Sequence, residues 1–266
     1  MVSSRDKPLF IVENLKKNYG KLEAVKEVSL QVNYGEVFGF LGPNGAGKTT
    51  TIKCCTGLLH PNTGSIMIEG FDLHQEPVQA KARIGYVPDD PFLYEKLTGE
   101  ELVTFIARLY GQNEDGLKDK VDRYFELLEM RDSKNHFIQS YSRGMRQKTA
   151  LIAAILHEPT LLFLDEPTAN LDPRSARIVK DLIQHFKEQR RAVLLSTHIM
   201  EIAESLCDRV AIINQGKIEA LGSLKELDQW KQGGTLEEVF LEITSSQDLE
   251  TQKVLNEVSR PEKGEG

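Results

Sequence analysis

A loop near the start of the chain has the residue types and spacing needed to hold a polyphosphate. Residues 42–49 read Gly-Pro-Asn-Gly-Ala-Gly-Lys-Thr, which fits the pattern G-x-x-x-x-G-K-[ST], and they directly follow the apolar run 37–41. The glycines let the chain curl so that successive N–H groups point at anionic oxygens. Lys48 adds a charge between the outer two phosphates, and the hydroxyl of Thr49 can ligate Mg²⁺. The helix predicted over 48–58 turns its positive end towards the same anion.

This loop predicts binding of a nucleoside triphosphate together with Mg²⁺. A plain glycine turn is the competing interpretation, but it explains neither the Lys-Thr pair nor the strand in front of the loop. The residues expected to contact the nucleotide in this segment are Gly42, Pro43, Asn44, Gly45, Ala46, Gly47, Lys48, Thr49 and Thr50.

A second candidate element is an apolar strand that ends in two carboxylates. The run Leu161–Leu164 is followed by Asp165 and Glu166. Ligands of open α/β sheets bind at the carboxyl ends of the strands, so both acids are expected beside the phosphate loop. Asp165 is suited to hold Mg²⁺ opposite Thr49, and Glu166 can point at an attacking water. An acidic pair at a strand end is common by itself, and the phosphate loop earlier in the chain favours the catalytic interpretation.

Two shorter segments carry further candidates. Residues 141–147 precede a predicted helix that Ser142 can cap, and Gly144 permits close approach of another backbone. Alone, this segment is no more than a capping turn, and its position ahead of the two carboxylates is what favours a functional role. His198 follows the strand-like run 192–196, at a place where a contact to the γ-phosphate is needed, although a lone histidine usually packs or faces solvent.

These candidates must be positioned by an alternating pattern of strands and helices. Strand-like runs are predicted at Leu9–Val12, Val25–Val32, Val37–Leu41, Ser65–Ile68, Ile84–Val87, Leu161–Leu164, Ala192–Ser196 and Val210–Ile213. Helical periodicity lies between several of them, which indicates an α/β fold with a largely parallel sheet.

The stretch from about residue 98 to 157 has a different pattern. Helical patterns at Glu101–Tyr110, Leu117–Met130 and Gly144–Leu156 follow one another with no strand-like run between them. We expect this stretch to be a helical insertion beside the nucleotide-binding core. Residues 245–266 are polar and are expected to form a flexible tail.

Composition narrows the classes of function. The chain has 266 residues, of which 40% are hydrophobic and 27% charged, as in an ordinary soluble globular protein. Its net charge of −7 argues against nucleic acid as the main partner. We expect neither a signal peptide nor a membrane span, since no apolar run approaches the roughly 18 residues that a span needs. The three cysteines are too few and too badly spaced for a disulfide framework or a metal site, so a reducing cytoplasm is the natural home.

Taken in their order along the chain, these motifs resemble those of the ATP-binding subunits of ABC transporters, over about residues 9–243. The phosphate loop is similar to the Walker A motif of that family. The remaining motifs are similar to the Walker B strand at Leu161–Glu166, the LSGGQ signature at Tyr141–Met145, the D-loop at Ala169–Asp172 and the H-switch at Thr197-His198.

The resemblance also implies a fold and a base-binding residue. Tyr19 lies where the family has an aromatic ring that stacks on adenine. The implied fold is a phosphate-loop ATPase core with a mostly parallel sheet, an antiparallel β portion at the N-terminal end and the helical insertion. Residues 1–244 would form this one ATP-binding domain.

Two motifs depart from the family pattern. The signature reads Tyr-Ser-Arg-Gly-Met, so it keeps the serine and the second glycine but replaces the first glycine and the glutamine. Serine and backbone N–H groups are the parts that face phosphate, so function is expected to survive. Asp89 stands where the Q-loop usually has glutamine. A carboxylate can ligate Mg²⁺ and accept a hydrogen bond from water, but it cannot donate one and it carries a charge.

The resemblance further implies a head-to-tail dimer with a second copy or a homologous ATPase subunit. Two ATP molecules would be sandwiched, each between Walker A of one subunit and Ser142 and Gly144 of the other, with Asp172 coupling the two sites. Hydrolysis would remove the nucleotide that joins the subunits and open the dimer. The catalytic residues that the resemblance implies are Glu166, His198 and Lys48. The implied metal ligands are Thr49, Asp89 and Asp165.

In the family, the surface formed here by residues 89–97 receives a coupling helix from a membrane permease. Phe92 and Tyr94 are expected to be exposed there, the alternative being that they pack against the insertion. Residues 234–241 resemble the ending of ATPases that serve type-2 exporters, which would place the protein at the inner face of the cell membrane through its permease. An importer subunit and a soluble ABC ATPase are the alternatives. The second is disfavoured because the chain has neither a second nucleotide domain nor a long coiled coil.

Overall fold

A computed structural model of the chain describes residues 7–230 and 235–244, in which two sheets are flanked by helices. The strands are β1 (Phe10–Tyr19), β2 (Leu22–Val32), β3 (Val37–Leu41), β4 (Thr63–Ile68), β5 (Phe71–Asp72), β6 (Ile84–Val87), β7 (Leu161–Asp165), β8 (Ala192–Thr197), β9 (Arg209–Asn214) and β10 (Lys217–Ser223). The helices are α1 (Lys48–Cys55), α2 (Pro77–Lys81), α3 (Gly99–Leu109), α4 (Leu117–Leu127), α5 (Arg143–Ile155), α6 (Pro173–Glu188), α7 (Met200–Leu206), α8 (Leu224–Trp230) and α9 (Leu236–Thr244). The predicted tail at 245–266 lies outside the described residues.

The larger sheet is built from short apolar runs. Its strands lie in the order β10-β9-β3-β8-β7-β6, and all neighbours are parallel except β10, which runs antiparallel to β9. Every residue of β3 and β7 is buried, as expected for strands covered on both faces of a sheet. The predicted α/β class with a mostly parallel sheet is confirmed.

The smaller sheet is antiparallel, with the strand order β2-β1-β4-β5. It confirms the antiparallel β portion that the resemblance implies. Its apolar face packs on the parallel sheet, where the rings of Phe10 and Phe163 meet edge to face with centroids 5.4 Å apart. β1 and β2 extend beyond the predicted runs, because polar residues on the exposed face interrupt the apolar pattern without ending the strand.

Three α-helices, α3, α4 and α5, occupy the predicted helical insertion and pack together against the opposite side of the parallel sheet. The first of them begins with a capping box: the side chain of Thr98 accepts from the backbone of Glu101, and the Glu101 carboxylate accepts from the backbone of Thr98. Within the described ranges, no helix is both long and apolar enough to cross a membrane.

Two predicted helix ends were wrong. α1 ends at Cys55 rather than near residue 58, because Gly57 takes a left-handed φ of 69° and the next N–H turns back to the carbonyl of Lys53. α4 ends at Leu127 rather than at residue 130, where Glu129 has a φ of 58°. The sequence pattern also missed the short strand β5 and the edge strand β10.

Candidate functional site

The candidate site forms where four neighbouring strands end. β3, β8, β7 and β6 are adjacent and parallel, so their carboxyl ends meet at one edge of the sheet. The phosphate loop follows β3, and His198 follows β8. Glu166 follows β7 directly, and Asp89 follows β6 after one intervening residue. The topology therefore brings together groups that are far apart in the sequence.

The glycines of the phosphate loop serve two different purposes. Gly47 has a φ of 106°, and a Cβ there would lie 2.5 Å from the backbone oxygen of Ala24. Gly42 is equally confined, because its Cβ would lie 2.4 Å from the carbonyl oxygen of Ile213. Gly45 has a φ of 80° with no atom within 4 Å of such a Cβ, so it faces open space. Two of the glycines thus allow the loop to pack on β2 and β9, and one leaves the nucleotide side open.

Lys48 is buried beneath the loop and is held by it. Its Nζ donates to the carbonyl oxygens of Gly42, at 2.6 Å, and Pro43, at 3.1 Å. Burial lowers the pKa of Lys48, and the nearby carboxylates of Glu166 and Asp165 oppose that shift. The ammonium group is therefore placed between the loop and the two acids that follow β7.

Thr49 and Asp165 form a pair suited to a hard cation. The Thr49 hydroxyl donates to Oδ2 of the buried Asp165 across 3.0 Å. A hydroxyl and a carboxylate are the oxygen ligands that Mg²⁺ accepts, and it usually takes one or two carboxylates together with substrate phosphates and water. Among the described residues, no cluster of three or more His, Cys, Asp or Glu could hold a metal by itself. The donor set therefore fits Mg²⁺ bound with a nucleotide.

Glu166 is held by Thr197, the last residue of β8, and by His198, which follows that strand. Its Oε1 lies 2.7 Å from Nδ1 of His198, and its Oε2 accepts from the Thr197 hydroxyl at 3.2 Å. Because an ionised carboxylate only accepts, Nδ1 carries the proton in this arrangement, and Nε2 is the nitrogen that can meet a ligand. The Glu166 side chain is 12% exposed and that of His198 is 51% exposed, so the pair opens to solvent on the histidine side.

Tyr19 ends β1 beside an open pocket of about 520 Å³ next to the phosphate loop. Its ring is 48% exposed, and Nζ of Lys17 lies 5.6 Å from the ring centroid. The sequence reasoning missed several other residues that line this pocket. They are Leu22, Glu23, Ala24, Lys26, Gln215 and Gly216. No local motif marks them, because the β9–β10 turn reaches the loop only through the fold, with the N–H of Gly216 donating to Ala46 O at 2.8 Å.

The signature segment begins α5, and Ser142 is its N-cap. The Ser142 hydroxyl accepts from the backbone N–H of Met145 at 3.3 Å, and Ser142 is exposed. Gly144 permits close approach of a backbone, as its residue type suggests, because a Cβ there would lie 2.9 Å from the carbonyl oxygen of Asn170. The signature thus packs on its own D-loop within the single chain.

Asp172 has a role that the sequence reasoning missed. Its carboxylate caps α6, where Oδ1 accepts from the backbone of Ser175 at 2.9 Å and of Arg174 at 3.1 Å. Oδ2 accepts from the Ser175 hydroxyl at 2.6 Å. These hydrogen bonds lower the pKa of Asp172 to about 2, and the one from the Ser175 hydroxyl has the largest effect. An acid followed by proline and a polar residue three positions on is a cap signal that could have been read.

Asp89 lies at the edge of the site but is paired with an arginine. Its Oδ1 is 3.4 Å from Nη2 of Arg143, the residue that replaces the first glycine of the signature. Both side chains are about half exposed, at 47% for Asp89 and 54% for Arg143. The predicted metal ligand is thus engaged with the signature helix in this structure.

Together the fold and this edge of the sheet define a phosphate-loop ATPase domain. A family model described as ABC transporter matches residues 25–169. The chain is 38% identical over 221 residues to the ABC transporter ATP-binding protein NatA of Bacillus subtilis (strain 168), covering 83% of this chain and 90% of that protein. It is 37% identical over 224 residues to the linearmycin resistance ATP-binding protein LnrL of the same strain, covering 84% of this chain and 72% of the relative.

Solved structures agree with this family. A structure of the ATP-binding subunit of an ABC transporter superimposes with a TM-score of 0.84 at 33% identity, covering 88% of this chain and 98% of that one. A dimeric ATP-binding cassette in a post-hydrolysis state, bound to ADP and phosphate, shares the fold with a TM-score of 0.74 at 22% identity, over 80% of this chain and 98% of its own. The chain belongs to the ABC transporter family, as an ATP-binding subunit that hydrolyses ATP.

Proposed function

We propose that the chain powers an exporter by hydrolysing ATP at this edge of the parallel sheet. The observation that carries the proposal is the pair of contacts made by the consecutive acids after β7. Asp165 accepts a hydrogen bond from Thr49 at 3.0 Å, and Glu166 contacts His198 at 2.7 Å. Both carboxylates also favour the charged form of Lys48 and so raise its pKa against the effect of burial. Metal binding and water activation are thereby assigned to two adjacent carboxylates with different partners.

The residues would divide the chemistry as follows. Lys48 and the loop N–H groups hold the phosphates, and Thr49 and Asp165 hold Mg²⁺, which supplies neutralisation of the phosphate charge when bound. Glu166 orients and polarises the attacking water. His198 keeps that carboxylate in place through Nδ1 and can offer Nε2 to the γ-phosphate. Asp89 stays a predicted third metal ligand.

The second half of each site would come from another subunit in a head-to-tail dimer. Ser142 is exposed at the start of α5, where the N-terminus of a helix favours an anion. Gly144 lies in the same turn, with the carbonyl of Asn170 on its Cα side, and would offer its backbone N–H to the same anion. Tyr19, open to solvent beside the loop, would stack on adenine. Asp172, at the start of α6, would act across the interface from its capping position.

Residues 89–97 are the surface that we assign to a membrane permease. Phe92 is 96% exposed and Tyr94 is 68% exposed, so neither is buried against the insertion. The neighbouring Leu93 and Leu97 pack on the core instead and anchor the segment. An apolar groove continues the surface, and it is lined by this segment together with residues of β6, α3 and α5. Leu58, which also lines it, is 60% exposed. Exposed aromatic side chains beside a groove suit a helical partner.

Export is the direction that the relatives favour. One is named for resistance to linearmycin, and another, YbhF of Escherichia coli (strain K12), is named a probable multidrug transporter protein and is 34% identical over 243 residues, 42% of its own length. An importer subunit and a soluble ABC ATPase are the alternatives. As an exporter ATPase, the chain would act at the inner face of the cell membrane, attached through its permease. Residues 1–244 are proposed as its ATP-binding domain.

The proposed catalytic role is tested by Glu166→Gln, which keeps the shape of the side chain and removes its charge. A positioned base contributes about 10²–10⁴-fold to a rate, so steady-state hydrolysis should fall by that factor while ATP binding persists. An ATP-bound dimer should then accumulate on a sizing column. Glu201→Gln, which changes an exposed acid on α7, is the matched control and should hydrolyse ATP like the wild type. Undiminished hydrolysis by Glu166→Gln would falsify the assignment, and a monomer with bound ATP would contradict the dimer.

A further inference from the structure

The two departures from the family pattern in this sequence contact each other. Asp89 occupies the glutamine position of the Q-loop, and Arg143 the position of the first signature glycine. They are 54 residues apart in the chain, yet Nη2 of Arg143 lies 3.4 Å from Oδ1 of Asp89. An added negative charge and an added positive charge thus lie within ion-pair distance.

This contact is one of three from a single face of α5. Arg146 Nη2 lies 2.9 Å from Oε1 of Glu95, and Nε2 of Gln147 donates to the carbonyl oxygen of Pro88 at 3.2 Å. Residues three and four positions apart share a face of a helix, so positions 143, 146 and 147 form one surface. The start of α5 is therefore held against the segment that follows β6, and Arg143 is the member of this face that contacts Asp89.

The electrostatic surroundings explain why the pairing matters. β6 and β7 are adjacent and parallel, so Asp89, two residues after β6, and Asp165, the last residue of β7, lie at the same edge of the sheet. Burial raises the pKa of the Tyr86 phenol on β6, and Asp165 and Asp89 raise it further. Glu166 follows Asp165 directly. This edge of the sheet would thus present three carboxylates to the phosphates of ATP. An unpaired carboxylate beside a polyphosphate repels it, and a neighbouring cation removes most of that repulsion.

We propose that Arg143 is a positioning residue that acts through Asp89: its guanidinium pairs with the Asp89 carboxylate and reduces the repulsion between that carboxylate and the phosphates of ATP. This inference rests on the proposed function, since it assumes that the phosphates bind at this edge. It accounts for an acid in a position where an amide is usual, because the acid comes with its own counter-ion. It also predicts that each residue is tolerated less well without the other.

The test is a double-mutant cycle of Arg143→Ala and Asp89→Gln with ATP affinity as its readout. ATP affinity is measured by titration calorimetry in the presence of EDTA. The EDTA removes Mg²⁺, which would otherwise screen the charge of Asp89 and permit hydrolysis. Exposed pairs have modest strength, so Arg143→Ala should weaken ATP binding by about two- to fivefold at low salt. The penalty should shrink as salt rises, because both groups are open to solvent. In the Asp89→Gln background, Arg143→Ala should have almost no effect.

Arg146→Ala is the matched control, since it removes an arginine from the same helix face that pairs with Glu95 instead. It should bind ATP like the wild type. Thermal unfolding of each variant checks folding, and Arg143→Lys, which keeps the charge, should restore binding if the alanine variant folds poorly. If Arg143→Ala weakened ATP binding equally in the wild type and in Asp89→Gln, Arg143 would act on ATP directly. If Arg143→Ala did not weaken binding at low salt, the ion pair would have no effect on ATP affinity. Either result overturns the inference. A wild-type chain that does not bind ATP would instead contradict the proposed function.

Discussion

Substitution of the loop glycines should separate packing from ligand binding. Gly47→Ala places a Cβ 2.5 Å from the backbone oxygen of Ala24, at a φ of 106° that L-residues rarely adopt. Real Cβ atoms essentially never approach a heavy atom within 3.0 Å, so the loop or β2 must shift. The backbone strain is worth about 1–3 kcal/mol and the overlap about as much again, which predicts a loss of about 2–6 kcal/mol in the free energy of unfolding.

Two further glycines serve as internal controls for this prediction. Gly20 has a φ of 58° and Gly45 a φ of 80°, and a Cβ at either would meet no atom within 4 Å. Alanine at each should cost only the left-handed backbone, about 1–2 kcal/mol. Gly45 lines the nucleotide pocket and Gly20 does not, so Gly45→Ala should also weaken ATP binding while Gly20→Ala leaves it unchanged.

The assay is urea unfolding of the nucleotide-free protein, followed by far-UV circular dichroism, because bound ATP would add its own stabilisation. ATP affinity is measured separately on the variants that fold. If Gly47→Ala lost no more stability than Gly20→Ala, the contact with β2 would not be what requires a glycine at that position. The geometric account of the loop would then be refuted.

Two other predictions concern the nucleotide contacts. Tyr19→Ala should weaken ATP and GTP binding alike, by about 1–3 kcal/mol, because stacking reads the face of a base more than its edges; unchanged affinity would contradict the stacking role. Mixing subunits that carry Ser142→Arg with subunits that carry Lys48→Ala should restore nucleotide trapping and turnover, since each mixed dimer has one intact site. A Ser142→Arg subunit that traps nucleotide like the wild type when paired only with itself would contradict action across the interface.

The fold was predictable where the signal was local. The phosphate loop between a buried strand and a helix, the capping serine of α5 and the helical insertion could all be read from residue types and spacing. The end of α1 also had a signal, in Gly57. The end of α4 had none, because Glu129 takes the left-handed conformation that glycine usually supplies. The hydrogen bond from the Met130 N–H to the carbonyl of Phe125 closes that helix, so the turn forms with a glutamate where a glycine would have marked it.

The candidate site was predictable as a set of residues but not as a set of contacts. Strand order within a parallel sheet is not encoded in any one segment, so the sequence could not show that β7 and β8 are neighbours. Because the two strands are adjacent, His198 contacts Glu166, whereas the sequence had suggested only a contact between His198 and phosphate. The same limit hid the contact between Asp89 and Arg143, because it joins the end of β6 to the start of α5.

The backbone of Glu166 shows how two consecutive acids come to have different partners. Successive residues of a strand point to opposite faces, so a regular strand would separate the side chains of Asp165 and Glu166. The strand ends at Asp165, and Glu166 takes a φ of 49°, which costs a non-glycine residue about 1–2 kcal/mol. The turn directs its carboxylate to Thr197 and His198, while Asp165 remains on Thr49. The left-handed backbone at Glu166, rather than strand geometry, is therefore what gives the two consecutive acids different partners.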